Sequence, residues 1–176
     1  MKASQLVANF IRGHVNHVFA VSGGADLHLL DSLDRAGVAI ICPQSEAAAG
    51  FAADAYARLH GLGVVVTTSG PGATNLVSAI ATSYYDSVPV LYITGQQTRS
   101  RMKDKIHPGI RQYGFQECPI VDIVRPVTKW VYQMKGSDLN PDVWTEVWDT
   151  AIRTTQQCRA GPVLIDIPDD LQRENV

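Results

Sequence analysis

The sequence predicts an α/β fold: a three-layer α/β/α arrangement with a parallel sheet of about six strands covered by helices on both faces. Short β-branched apolar runs alternate with longer stretches of helical periodicity along nearly the whole chain. The run Val64-Val65-Val66 is apolar at consecutive positions, as a strand buried on both faces requires. At 176 residues, 45% hydrophobic and 18% charged, the chain is one domain's worth and can bury a sizeable core.

Ala3 to Arg12 carries apolar positions at helical spacing and stops at Gly13. His17 to Val21 reads as a short buried strand closed by Ser22-Gly23-Gly24, and Asp26 can cap a helix from Leu27 to Ala36. Val38 to Ile41 is the second strand. The helix Glu46 to His60 follows, with Ser45 at its start and alanines along it. Gly63 to Thr68 is the third strand, Ala73 to Tyr84 a helix, and Val88 to Thr94 the fourth strand, followed by Gly95-Gln96. Periodicity fails from Gln97 to Gly114, which predicts a long loop. A short helix is expected within Phe115 to Val124 and a fifth strand over Pro126 to Tyr132. Pro141 to Arg159 reads as a helix with Trp144, Val147, Trp148, Ala151 and Ile152 on its core face. Gly161-Pro162 breaks it, and Val163 to Pro168 is the last strand. Residues 1–168 are read as one domain and 169–176 as a polar tail or the start of a linker.

Composition narrows the partners. The net charge is -2, and no Lys/Arg cluster exceeds the loose set Arg99, Arg101, Lys103 and Lys105, too sparse for a nucleic-acid face. Cys42, Cys118 and Cys158 lie far apart and suggest neither a zinc site nor a disulfide framework. No run has membrane-spanning length and no leader pattern is present, so a cytoplasmic location is expected.

In a parallel sheet, ligands bind beyond the carboxyl ends of the strands. Ser22-Gly23-Gly24, Glu46, Gly70-Pro71-Gly72 and Gly95-Gln96 all follow strands and should gather along that edge. Neither a P-loop nor G-x-G-x-x-G is present, so nucleotide signatures are missing. His14, His17, His28, His60 and His107 are scattered and pair with no nucleophile motif. Glu46, taken alone, is explained as a first-turn acid facing the helix dipole.

Read together, these segments resemble a known family. Gln44 to Arg58 (Q-S-E-A-A-A-G-F-A-A-D-A-Y-A-R) resembles the glutamate-bearing helix of thiamine diphosphate enzymes. Thr68 to Leu76 (T-S-G-P-G-A-T-N-L) resembles their T-S-G-P-G-x-x-N segment. Asp86 to Gln96, Phe115-Gln116-Glu117, Thr128-Lys129-Trp130 and Gly161 to Pro168 continue the match in register. The whole is similar to the N-terminal pyrimidine-binding domain of the acetohydroxyacid (acetolactate) synthase group.

The resemblance implies that Glu46 is catalytic, meeting a nitrogen of the cofactor's aminopyrimidine ring and promoting the tautomer that deprotonates the thiazolium carbon. It implies that Pro71, Asn75 and Gln96 also contact thiamine diphosphate, and that Gly24, Ala25 and Phe115 shape a substrate pocket. The substrate would be a small 2-oxo acid, decarboxylated and joined to a second carbonyl compound. Other activities of the family, a 2-oxo acid decarboxylase or an aldehyde lyase, stay open, as does a non-catalytic assembly subunit. Two departures bear on the pocket: Ser45 stands where a histidine often precedes the glutamate, and Val21-Ser22 where Tyr-Pro is usual. The family's diphosphate and Mg2+ motif does not occur in these residues. The implied partners are therefore a second copy of this domain and a diphosphate-binding domain or subunit, this chain being a split subunit or part of a longer one. FAD would be possible only in a full-length enzyme.

Overall fold

The computed structural model describes residues 1–102 and 109–176. Lys103, Lys105 and His107 of the sequence reading lie outside these described residues. Six parallel strands form one sheet: β1 (His17–Val21), β2 (Ala39–Ile41), β3 (Gly63–Thr67), β4 (Val90–Gln96), β5 (Trp130–Gln133) and β6 (Val163–Pro168). Their order across the sheet is β2-β1-β3-β4-β6-β5. From β1 the chain turns outward to β2, then crosses back to lay β3 on the other side of β1. That reversal is a switch point, and it opens a crevice between the carboxyl ends of β1 and β3.

Side-chain alternation along the strands feeds two separate cores. Val18, Ala20, Val64, Val66, Leu91 and Ile93 pack against α1 (Ala3–Arg12), α2 (Leu27–Arg35) and the Trp144 and Trp148 face of α7 (Pro141–Gln156). Phe19, Val65, Val90, Tyr92 and Leu164 pack against α3 (Glu46–His60), α5 (Val77–Asp86) and α6 (Ile120–Val124) on the other face. The three-layer α/β/α fold predicted from the sequence is the fold observed.

Helix α3 follows the sequence closely. The Ser45 hydroxyl accepts a hydrogen bond from the Ala48 N–H at 3.2 Å, and Gly61 ends the helix at a φ of +86°. Its small residues let it lie close to α5, for a Cβ on Gly50 would stand 2.5 Å from the Ala79 Cβ. Ala49, Gly50, Ala53 and Ala57 are all buried.

Several details differ from the expectation. The single helix over Ala73 to Tyr84 is two, α4 (Pro71–Thr74) and α5, because the Leu76 N–H bonds back only three residues, to Ala73. Strand β4 runs on through Gln96, which pairs with Pro168 of β6, instead of ending at Thr94. Strand β5 begins at Trp130, since Arg125–Val127 forms a 3-10 turn whose end Thr128 closes onto the Val124 carbonyl at 3.0 Å. Asp26 precedes α2 but does not cap it; its carboxylate turns back to accept from the Gly23 N–H at 2.8 Å.

Residues 169–176, read as a polar tail, carry α8 (Asp169–Arg173), with Leu171 and Gln172 buried. The last residues pair with the first: Lys2 and Asn175 form an antiparallel bridge, and the Ala3 N–H donates to the Glu174 carbonyl at 2.9 Å.

Candidate active site

Glu46 sits in the first turn of α3, half-buried, after β2. The Asn75 side-chain amide donates to its Oε2 at 2.9 Å. Asn75 can do so because the chain tightens between α4 and α5, the one break in helix that the sequence reading joined over. Opposite Oε1 lies Gly72, and a Cβ there would stand 3.4 Å from that oxygen and 2.7 Å from the Thr68 methyl. Gly70 turns the chain into α4 at a φ of +61°, which favours glycine, and Pro71 opens the helix exposed to solvent. The result is a carboxylate with one oxygen held by Asn75 and the other beside the close contact of Gly72 with Thr68.

Thr68 ties this carboxylate to the loop after β1. Its hydroxyl accepts from the Ala25 N–H at 3.1 Å, and its side chain fills the space where Gly23 would carry a Cβ, 2.5 Å away. From the sequence Thr68 is expected only as the end of the third strand and part of a motif; the Ser69-Gly70-Pro71-Gly72 turn directly after it was the available signal. Asp26 was missed as well. It is fully buried, and its Oδ2 meets no donor among the described residues. Burial pushes the Asp26 carboxyl up to about 6, against the pull of the Gly23 N–H, and the Glu46 charge adds to the rise.

Gly24, Ala25 and Phe115 line one cavity of about 630 Å³, together with Ser69, Arg101 and Arg173. The three residues assigned to a substrate pocket are thus brought together, and Ser69 joins the cavity to the Gly70 turn. The Ala25 carbonyl is gripped from behind by Gln172 of α8 at 2.7 Å and lies where Gly95 would carry a Cβ.

Gln96 does not join either group. As a strand residue it is 1% exposed, and its amide is turned inward. Its Nε2 donates to the Cys118 carbonyl at 2.8 Å and to Asp166 Oδ2 at 3.1 Å, while its Oε1 accepts from the Gln97 N–H at 3.0 Å. Of the loose basic group, Arg99 pairs with Asp170 at 2.7 Å and with Glu174, which fastens the 97–102 segment to the chain's end. Among the described residues no cluster of three His, Cys, Asp or Glu side chains could hold a metal ion, and no helix is long and apolar enough to cross a membrane.

Comparison with known proteins gives the family. Residues 1–124 match the family model described as thiamine pyrophosphate enzyme, N-terminal TPP binding domain. Acetolactate synthase 2, chloroplastic, of Nicotiana tabacum is 42% identical over 173 residues, 97% of this chain and 24% of that protein. The acetolactate synthase large subunit of Buchnera aphidicola is 37% identical over 174 residues, 98% of this chain and 28% of that one. Acetolactate synthase of Arthrospira platensis is 40% identical over 174 residues, 96% of this chain and 28% of the relative. The chain therefore spans about a quarter of the length of the curated relatives it matches.

Proposed function

The chain belongs to the thiamine pyrophosphate enzymes through their N-terminal TPP binding domain, and from that premise we propose that it is the pyrimidine-binding, cofactor-activating part of an acetolactate synthase-like enzyme. The observation that carries this reading is the hydrogen-bonded pair of Glu46 and Asn75 beside the Gly70-Pro71-Gly72 turn.

The residues present fit the group. Asn75 donates to Oε2 and leaves Oε1 as the atom that would share a proton with a ring nitrogen of the bound cofactor. Gly72 makes room for the Thr68 side chain and Gly70 for the Gln116 backbone, and Pro71 is exposed beside them. Thiamine diphosphate, when bound, supplies the carbanion chemistry that protein side chains lack. Its diphosphate and Mg2+ would be held by a second domain or subunit, and the carboxylate edge of this domain would face it. Gly24, Ala25 and Phe115 bound the space in which a small 2-oxo acid would meet the cofactor. The similarity to acetolactate synthases favours decarboxylation of that acid followed by carboligation to a second one.

The test is to assemble the chain with a diphosphate-binding partner, add thiamine diphosphate, Mg2+ and pyruvate, and measure pyruvate consumption and product. Acetolactate is expected. Acetaldehyde as sole product would assign a decarboxylase, and no cofactor-dependent consumption would reject the reading.

A further inference from the structure

We infer that Asp166 and Gln96 are positioning residues: they hold the 114–118 segment, and with it Phe115, at the mouth of the 630 Å³ cavity. For Phe115 as a pocket residue the inference rests on the function proposed above; the tether itself does not.

Asp166 is fully buried near the end of β6. It accepts from the Thr94 hydroxyl at 2.7 Å, from Gln133 Nε2 at 2.8 Å and from Gln96 Nε2 at 3.1 Å. A carboxylate accepts only, so it dictates which end of the Gln96 amide is nitrogen. Both N–H groups of that nitrogen are then committed, one to Asp166 and one to the Cys118 carbonyl. Gln96 has no donor left for a ligand. What it holds instead is the chain leaving the Phe115 segment.

That segment needs holding. Phe115 is 77% exposed, so its ring contributes little packing of its own, and Gln116 beside it has a φ of +58°, costly for a residue with a side chain. The backbone either side supplies the restraint. Glu117 accepts from the Tyr113 and Gly114 N–H groups at 2.9 and 3.2 Å. A Cβ on Gly114 would stand 2.8 Å from the Arg101 carbonyl, and one on Gly70 would stand 2.6 Å from the Gln116 carbonyl. The segment is therefore seated directly on the turn that leads into Pro71, and Asp166, through Gln96 and Cys118, closes its far end.

Amide hydrogen exchange in the purified protein without added ligand tests the tether. In Gln96→Leu the amides of Tyr113, Gly114 and Glu117 should exchange about tenfold faster while those of Val65 and Leu164 stay unchanged. Asp166→Asn, which keeps size and shape, should do the same and serves where the leucine variant does not fold. Equal acceleration of loop and core amides would mean general destabilisation and would overturn the inference. In the assembled enzyme, Gln96→Leu should shift the ratio of kcat/KM between pyruvate and 2-oxobutanoate by about threefold or more, in the direction Phe115→Ala shifts it. An unchanged ratio would sever the tether from the pocket. Weakening of thiamine diphosphate binding by about tenfold with loop exchange unchanged would return Gln96 to the cofactor. A wild-type assembly that consumes no 2-oxo acid would fail the functional reading alone and leave the exchange result standing.

Discussion

Glu46 shows how little a residue type says until its neighbours are placed. A glutamate in the first turn of a helix is favoured by the dipole alone, and Ser45 before it is an ordinary cap. What sets it apart is Asn75, 29 positions away, holding one oxygen. A hydrogen bond to a charged group contributes about 1.5–3 kcal/mol, so Asn75→Ala should lower turnover by about tenfold or more with the fold intact. Wild-type turnover in that variant would show that the pair is not part of the chemistry. Asp26 makes a second prediction. An aspartate carboxyl ordinarily titrates near 3.8, and burial lifts this one to about 6. The folded state therefore binds the Asp26 proton more tightly, so its contribution to stability is full below about pH 3.8 and is lost as pH rises through about 6. Asp26→Asn, which never ionises, should gain on wild type by up to about 3 kcal/mol in urea unfolding between pH 4 and pH 7. An offset equal at both pH values would contradict the assignment.

Among the elements, α3 was legible nearly residue by residue: Ser45 marks its start, Gly61 its end, and the alanines and Gly50 its close side. Gly50→Val should cost about 1–3 kcal/mol, because the new side chain meets Ala79 and pushes α3 from α5. Turnover should fall with it, since the same shift moves Glu46 from Asn75. A melting temperature equal to wild type would refute this account of the α3–α5 contact. The elements that escaped the sequence are those set by partners distant along the chain. Nothing local stops β4 at Thr94 or carries it to Gln96; the register with β6 decides. That is why Gln96, expected at a strand end, is found inside the sheet. Likewise the break between α4 and α5 has no glycine or proline at Asn75-Leu76 to announce it, and periodicity alone joins the two helices.

At the scale of the molecule, the order β2-β1-β3-β4-β6-β5 places the crevice at the β1/β3 reversal, and the glycine turns after β1 and β3 line it. The sequence could locate the motifs at strand ends, yet only the strand order decides which ends are neighbours. The same architecture leaves Pro71, Asn75 and one side of Glu46 open to solvent. The role proposed for Glu46, activating the cofactor within the complete assembly, is tested by the rate of hydrogen exchange at the thiazolium C2 of bound thiamine diphosphate. In the complete assembly Glu46→Gln should slow that exchange by about a hundredfold or more; exchange at the wild-type rate would contradict the claim.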